Sequence, residues 1–311
     1  MKGDGPAAAP PDATDRRLAY ALLLTTPVLF AANMLAARWV QGAIPAVGMA
    51  TWRWSLTFLL LLPLAARDLW AGRDELRRDW PTLLLLGALG IGLCGAPVYV
   101  GAQTTTATNI GLLYATSPIF ILIFGRIGWG VPIGGLQVVG IALCLVGGLV
   151  VLARGDFATL LGLEFVVGDL WIGAAVLAWS LYSVLLRYRP SSLAVLPRLA
   201  AIVLGGVVAN LPFYALEIAT GHPTPLTLHT LSVFLFLAIV PGVGAYLAYG
   251  KLVDLVGPAR TGLLLYLIPL YNVGLAWILL GERPYPFHAV GMVLTLTGVW
   301  LGTRVPKQTA G

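Results

Sequence analysis

The chain alternates between long apolar runs and short polar breaks. Ten of these runs are about as long as a helix must be to cross the bilayer, whose hydrocarbon core of roughly 30 Å takes about 20 apolar residues. They lie at 17–38, 45–66, 81–101, 107–126, 133–153, 167–187, 193–215, 229–250, 258–279 and 286–303. The pattern therefore predicts an all-α membrane protein with ten transmembrane helices.

The breaks between the runs carry residues that begin or end helices. Arg67–Asp79 is predicted to be a charged loop, and Arg154–Glu164 and Glu217–Pro225 are predicted to be polar connections. Pro258 and Pro286 stand at the starts of two runs, where a proline is tolerated because the first N–H groups of a helix have no partner within it. The breaks thus support the same helix boundaries as the apolar runs.

Composition places most of the chain in contact with lipid. Hydrophobic residues make up 59% and charged residues 10%, with a mean hydropathy of +0.88, whereas a soluble domain carries about 25% charged residues. The net charge of +6 does not indicate nucleic-acid binding, because the cations lie in short loops rather than on one basic face. Cys94 and Cys144 lie inside apolar runs and are interpreted as packing residues.

The lysines and arginines predict the orientation in the membrane. With the N-terminus in the cytoplasm, only four of the 19 fall on the outer side, namely Arg38, Arg53, Arg154 and Arg283. This bias follows the positive-inside rule and places both termini in the cytoplasm, as an even number of spans also requires. We expect residues 1–15 to form a disordered tail and residues 305–311 a C-terminal tail, in a protein of the bacterial inner membrane.

An internal repeat relates the two halves of the chain. A shift of 151 residues gives 11 identities over the 43 positions 107–149, and these include Pro118 on Pro269, Gly140 on Gly291 and Gly147 on Gly298. Each half, 16–154 and 155–304, holds five predicted spans, and because five is odd the second half enters the membrane inverted. Inverted repeats are typical of secondary transporters, whose substrates bind near the midplane between the repeats. A duplication retained only for packing is the alternative.

Several segments resemble a known transporter module. Lys251–Pro269, Leu280–Arg283 and His288–Gly298 in the second half, and Pro45–Trp54 and Trp179–Tyr182 elsewhere, are similar to the EamA module of the drug/metabolite transporter superfamily. The resemblance implies a ten-helix transporter made of two inverted modules. Within the superfamily, the chain is similar to bacterial exporters of aromatic and other amino acids.

The first module departs from this motif. Where the second has Leu280-Gly281-Glu282, the first has Trp129-Gly130-Val131, so any role of the acid applies only to Glu282. Ionisable residues are scarce inside the apolar runs. Arg53 lies about two turns inside its run and is either an anion contact or gate, or an arginine that snorkels to the outer headgroups or bonds loop carbonyls, and we favour the second interpretation. Asp169 is interpreted as an acid that complements the helix dipole.

The scarcity of buried charge limits the class of solute that the protein is expected to carry. Without an embedded acid, proton coupling is not indicated, and a neutral or zwitterionic solute moving down its gradient is the simplest hypothesis. Polar and aromatic residues within the spans could bind it by hydrogen bonding, stacking or cation–π contact, or could instead form a lipid-interface belt. The candidates are Asn33, Tyr99, Tyr114, Ser117, Trp179, Tyr182, Tyr246, Tyr249, Tyr266 and Asn272.

Prolines inside the spans are candidate hinges. Pro97, Pro118, Pro241 and Pro269 each permit a kink, although the glycines near them also favour close helix packing. The sequence thus predicts an exporter of amino acids, leaning to aromatic and bulky neutral ones, that works by alternating access in the lipid bilayer as a monomer or an oligomer. A carrier of drugs or nucleobase-like metabolites is the alternative. A membrane enzyme or receptor is disfavoured, since we find no catalytic constellation, metal cluster or cofactor motif.

Overall fold

A computed structural model describes most of the chain. The described residues are 13–39, 44–105, 107–156, 158–162, 164–189, 191–268, 270–271, 274, 278 and 285–303. Within these ranges the chain forms helices and short connections, without a β-strand. The prediction of an all-α protein is confirmed for this part of the chain.

The helices follow one another with short connections. Their bounds are α1 Ala13–Trp39, α2 Ala46–Ala71, α3 Arg73–Gly87, α4 Ala96–Gly101, α5 Ala107–Ala115, α6 Ser117–Trp129, α7 Gly135–Leu152, α8 Ala158–Leu161, α9 Val167–Tyr188, α10 Val195–Ala219, α11 Leu228–Leu237, α12 Tyr246–Val256, α13 Pro258–Gly262 and α14 Pro286–Thr303. Pro258 and Pro286 begin helices, as the sequence predicts.

Seven helical stretches in the described ranges are long and apolar enough to cross a membrane. They are Ala46–Ala71, Arg73–Gly101, Asn109–Trp129, Gly135–Leu152, Val167–Tyr188, Val195–Ala219 and Leu228–Val256. The other three predicted spans fall on α1, on the incompletely described segment that begins at Pro258, and on α14. The protein is therefore a multi-pass membrane protein, and the count of ten spans stays a prediction.

Two predicted boundaries need correction. The predicted loop Arg67–Asp79 is almost wholly helical, because α2 continues to Ala71 and α3 begins at Arg73 after the single residue Gly72. Arginine, glutamate and leucine are good helix formers, so both helices extend beyond their apolar runs. The helix α1 likewise begins at Ala13, three residues before the predicted start of the first module.

Large apolar side chains cover the outside of the bundle, and small polar ones lie inside it. Leu64 and Ile127 are 65% and 80% exposed on the protein surface. Thr57, Ser180 and Ser183 are fully buried, and each hydroxyl bonds a backbone carbonyl one turn earlier in its own helix. An apolar surface around a core that holds hydrogen-bonded polar groups is suited to a lipid environment.

The long helices are interrupted at corresponding places in the two halves. Between α3 and α4 the residues Ala88–Leu93 form π-helical turns, and between α11 and α12 the residues Ala238–Ala245 do the same. A short break at Thr116 separates α5 from α6, and the 3₁₀ turn Leu263–Leu267 follows α13. π-Helical turns inside helices frequently lie at functional sites.

The helices α7 and α14 occupy corresponding positions in the two halves and pack directly against each other. A Cβ atom on Gly140 would lie 2.6 Å from the carbonyl oxygen of Gly298, and one on Gly147 would lie 2.8 Å from that of Gly291. The lower-numbered glycine of α7 thus meets the higher-numbered one of α14, so the two helices are antiparallel. Only glycine allows backbones to approach this closely.

Candidate functional site

Six aromatic rings form a cluster in the centre of the described bundle. This aromatic cluster consists of Phe30, Trp54, Trp179, Tyr182, Tyr246 and Tyr249. The ring centroids of Trp54 and Tyr246 are 4.8 Å apart, as are those of Trp179 and Tyr249. Trp54, Trp179 and Tyr246 are each at most 6% exposed. Offset and edge-to-face pairs of this kind stabilise one another.

Both halves of the chain contribute to the aromatic cluster. Phe30 lies on α1, Trp54 on α2, and the other four rings lie on α9 and α12. Trp179 and Tyr182 are three residues apart on α9, as are Tyr246 and Tyr249 on α12, so each pair shares one helix face. Two helix faces of the second half and two rings of the first therefore meet at one place.

Hydroxyl groups tie the cluster to the interrupted helices. The Tyr246 hydroxyl donates to the carbonyl oxygen of Gly90, at 2.7 Å, within the π-helical turns after α3. A Cβ atom on Gly90 would lie 2.5 Å from the ring of Tyr182, so a larger residue would displace the cluster. The Tyr249 hydroxyl lies 2.6 Å from that of Ser183. The cluster is thus packed directly on the first of the π-helical segments.

The structure is closed around the aromatic cluster. The crevice beside it, lined by Tyr182, Arg198 and Tyr246 among others, has a volume of about 10 Å³. That is about the space one water molecule needs. The indole N–H of Trp54 is buried in this closed arrangement and makes no hydrogen bond within the part of the chain that the structure describes. It is therefore a donor that a bound solute could satisfy.

A polar group adjoins the aromatic cluster. The Nη1 atom of Arg53 on α2 donates to Asn33 Oδ1 on α1 at 2.5 Å and to the Tyr99 hydroxyl on α4 at 3.0 Å. Arg53 is only 6% exposed, and its guanidinium lies 4.6 Å from the ring centre of Trp54. The expectation that Arg53 snorkels to the headgroups is wrong, because these internal partners hold the side chain inside the protein.

The structure separates the predicted site residues into groups. Trp179, Tyr182, Tyr246 and Tyr249 meet in the aromatic cluster, and Asn33 and Tyr99 meet at Arg53. Among the described residues, none of the remaining candidates makes a hydrogen bond or a ring contact to either group. Tyr266 donates to the carbonyl oxygen of Ala115 at 2.7 Å. Ser117 is fully buried, and its carbonyl oxygen accepts from Ser180. Tyr114 is half-buried on α5, and Asn272 lies outside the described residues.

The predicted hinge prolines lie at the helix interruptions. Pro97 is the second residue of α4, which begins three residues after the end of the first π-helical segment, and Pro241 lies within the second. Pro118 is in the first turn of α6, after the break at Thr116. Pro269 and Glu282 lie outside the described residues. Hinge motion at the three described prolines stays a prediction.

Both ends of the bundle carry polar contacts that the sequence did not predict. Where α2 begins, the Glu217 carboxylate accepts from the backbone N–H groups of Val47 and Gly48 at 2.9 and 2.6 Å. At the opposite end, Asp254 accepts from Arg198 at 2.9 Å through its carboxylate and from Arg187 at 2.6 Å through its carbonyl. Each set of contacts joins neighbouring helices at one end of the bundle.

Three residues that make the contacts described above were not predicted from the sequence, and they differ in the signal that could have identified them. Glu217 lies in the last turn of α10, where the helix dipole disfavours an acid, and this anomaly could have indicated that it serves another helix. Trp54 could have been found beside Arg53, since it lies deep in an apolar run. Phe30 has no polar atom that would distinguish it from a packing residue.

Known proteins share both the sequence and the fold. The uncharacterized transporter YyaM of Bacillus subtilis is 25% identical over 295 residues, which cover 93% of this chain and 95% of that protein. An uncharacterized transporter of Archaeoglobus fulgidus is 27% identical over 241 residues, covering 74% and 78%. A probable terminal-alkyne amino-acid exporter of Streptantibioticus cattleyicolor is 27% identical over 243 residues, covering 78% and 79%.

A solved crystal structure has the same fold, with a TM-score of 0.74 at 20% identity over 91% of this chain and 95% of that one. The model of the EamA-like transporter family matches this sequence twice, at residues 17–153 and 166–304. Since these two matches span most of the sequence, the chain belongs to the EamA-like transporter family.

Proposed function

We propose that this protein exports amino acids across the bacterial inner membrane, with a preference for aromatic and bulky neutral side chains. The observation that carries the proposal is the aromatic cluster, in which rings from both halves of the chain meet beside the buried indole N–H of Trp54, which has no hydrogen-bond partner among the described residues. Such rings can stack on an aromatic side chain, and their faces can attract an ammonium group. The name of the Streptantibioticus cattleyicolor relative supports the same substrate class.

The proposed mechanism is alternating access between two inverted five-helix modules, 16–154 and 155–304. The antiparallel packing of α7 and α14 supports the inversion, since corresponding helices of inverted repeats run in opposite directions. The interruptions before α4 and before α12 supply bends at corresponding places in the two modules. Opening one end of the closed centre and then the other would expose the aromatic cluster to each compartment in turn.

The proposed transport is driven by the solute gradient without a proton-binding acid. Asp169 at the start of α9 is buried, but its carboxylate accepts from the Val166 N–H at 2.8 Å and from Asn109 at 3.0 Å. These bonds assign it to the helix start, as the dipole argument expects. The family and the named relatives are transporters, and we propose no enzymatic reaction.

Counterflow in proteoliposomes tests the substrate class. Vesicles loaded with unlabelled phenylalanine should accumulate labelled phenylalanine, and vesicles loaded with a nucleoside should not accumulate the same labelled nucleoside. A Trp179→Leu variant should lose exchange of phenylalanine more than exchange of valine, because it removes a ring but keeps an apolar side chain. Nucleoside exchange without amino-acid exchange would reject the proposal in favour of a nucleobase-like metabolite carrier.

A further inference from the structure

Arg53 is a buried cation whose charge is not balanced in the described part of the protein. It is 6% exposed, and both of its hydrogen-bond acceptors, Asn33 and Tyr99, are neutral. The ion pairs of the described residues are Arg78–Asp79 and Arg198–Asp254, and neither involves Arg53. An arginine inside a membrane protein is costly and normally has a functional partner.

Arg53 has more hydrogen-bond donors than the described residues satisfy. A guanidinium has five N–H donors in a planar fork, and the hydrogen bonds to Asn33 and Tyr99 both come from Nη1. The Nε–H donor is buried and makes no hydrogen bond to any residue that the structure describes. A buried donor without an acceptor is unfavourable, and more so when it carries charge. The closed structure therefore leaves Arg53 with capacity for an acceptor that the described residues do not supply.

The two partners of Arg53 add further donors at the same place. Because Arg53 can only donate, the oxygen of the Asn33 amide faces it, and the Asn33 amino group remains available as a donor. The Tyr99 oxygen accepts from Arg53, so its own hydrogen is free to donate to another group. Three neighbouring side chains thus offer N–H and O–H groups around one positive charge. Such an array matches a carboxylate, which accepts through both oxygens.

This donor array lies against the aromatic cluster. The guanidinium of Arg53 is 4.6 Å from the ring centre of Trp54, and that ring contacts Tyr246. Asn33 lies one helical turn after Phe30 on α1, and the Phe30 ring contacts Trp179. A solute whose carboxylate lies at Arg53 would therefore direct its side chain towards the rings. The arrangement suits a molecule in which a short carbon chain joins the carboxylate to an aromatic or bulky group.

We propose that Arg53, Asn33 and Tyr99 form the subsite that binds the carboxylate of the transported amino acid. The inference rests on the proposed function, since it names the part of the amino acid that the site recognises. It also explains why a chain with few buried charges retains one beside its aromatic cluster. Arg53 is then the specificity determinant that distinguishes amino acids from amines and other aromatic solutes that lack an anion.

Competition among phenylalanine analogues tests this subsite in the unmodified protein. Unlabelled phenylalanine should inhibit counterflow of labelled phenylalanine at least about tenfold more strongly than phenylalaninamide or phenethylamine, because the amide offers Arg53 one neutral acceptor and the amine offers none, so neither can form the paired, charged hydrogen bonds of a carboxylate. Equal inhibition by phenethylamine would overturn the inference while leaving amino-acid transport in place. This comparison needs no variant and does not depend on the folding of one.

Variants of Arg53 supply the second measurement. Arg53→Gln should reduce phenylalanine exchange at least about tenfold, and Arg53→Lys should retain part of it because it keeps the charge but not the fork. The matched control is Arg73→Gln, which removes an exposed arginine at the start of α3 and should leave exchange unchanged. An Arg53→Gln protein that folds and exchanges phenylalanine like the unmodified protein would also overturn the inference.

Thermal stabilisation separates the inference from the proposed function. The probe 3-phenylpropionate has the carboxylate and the ring of phenylalanine without its amino group. It should raise the Tm of the detergent-purified protein, and it should not raise the Tm of the Arg53→Gln variant. If amino-acid exchange is absent but this difference is found, the carboxylate subsite holds and the amino-acid assignment fails. If 3-phenylpropionate and phenylalanine both leave the Tm of the unmodified protein unchanged, the subsite is rejected.

Discussion

The Sγ atom of Cys144 lies 3.4 Å from the carbonyl oxygen of Thr295, and these two residues are 151 positions apart, which is the shift that superposes the two halves of the sequence. Each residue therefore faces its own counterpart. The glycines before and after Cys144 make crossed contacts with α14. At an interface with a two-fold axis, a residue on the axis contacts its own counterpart, and residues on either side of the axis contact the counterparts of each other. This pattern supports the proposed inversion of the two modules.

The tight packing of α7 on α14 predicts a large effect of a single methyl group. In Gly140→Ala, the new Cβ would lie 2.6 Å from both the Gly298 oxygen and the Gly302 nitrogen, which are backbone atoms that cannot rotate away. The helices must separate, so we expect a loss of about 1–3 kcal/mol, as for other overpacked sites. A lower Tm in detergent and a lower yield of folded protein would show it.

Gly128→Ala is the matched control for this packing. Gly128 lies within α6, and a Cβ atom there would meet no atom within 4 Å. Alanine is a better helix former than glycine by about 1 kcal/mol, so this variant should be as stable as the unmodified protein or more stable. If Gly140→Ala matches Gly128→Ala in Tm, the close approach of α7 and α14 is not a feature of the protein in solution.

The predictable parts of this protein are those that depend on local sequence. The apolar runs revealed the helices, and the spacing of Trp179 and Tyr182 placed two rings on one face of α9 because that spacing is a property of a single helix. The boundary between α2 and α3 was mispredicted because charge suggested a loop where the helices continue beyond their apolar runs.

The interior contacts of the site could not be predicted in the same way. Arg53 bonds Asn33 and Tyr99, which are 20 residues before it and 46 residues after it on two other helices. No local pattern specifies such a meeting, because it depends on how the helices pack. The same is true of Glu217, whose backbone partners are 169 and 170 residues away.

The carboxylate of Glu217 should help to keep one end of the bundle closed. It accepts from two N–H groups in the first turn of α2, where those groups lack partners within the helix and the dipole favours negative charge. Removing such a cap costs about 0.5–2 kcal/mol. Glu217→Ala should therefore shift the protein towards opening at that end, by up to about thirtyfold in the equilibrium constant.

Cysteine labelling measures this shift. In the parent protein both native cysteines are replaced by alanine, and a cysteine is introduced at Ala50, which is fully buried in α2. This cysteine should react faster with a membrane-impermeant maleimide when Glu217→Ala is added to the parent. Asp68→Asn is the matched control, because Asp68 is the exposed acid 149 positions earlier, near the end of α2. Equal labelling rates in all three proteins would show that the Glu217 cap does not control access.

At the opposite end, Asp254 should be important because Arg198 is buried. The Arg198 side chain is 9% exposed and its partner carboxylate 31% exposed, at a separation of 2.9 Å. Asp254→Asn leaves the buried guanidinium without a charged partner, and we expect a loss of about 1–3 kcal/mol. In a double-mutant cycle measured by Tm, the double variant Arg198→Gln/Asp254→Asn should lose less stability than the sum of the losses in the two single variants. Additive losses would indicate that the pair does not interact.

The Tyr246 hydroxyl should matter for transport as well as for stability. In Tyr246→Phe the ring remains in the aromatic cluster, but the bond to the carbonyl oxygen of Gly90 in the π-helical turns is lost. Tyr266→Phe is the matched comparison, since its hydroxyl makes a bond of the same length, 2.7 Å, to the carbonyl oxygen of Ala115 outside the cluster. Both variants should lose about 1–3 kcal/mol, because each leaves a buried acceptor unpaired. Only Tyr246→Phe should also slow phenylalanine counterflow, since Tyr246 belongs to the aromatic cluster and Tyr266 does not. Equal counterflow rates for the two variants at equal amounts of folded protein would contradict a role for this bond in transport.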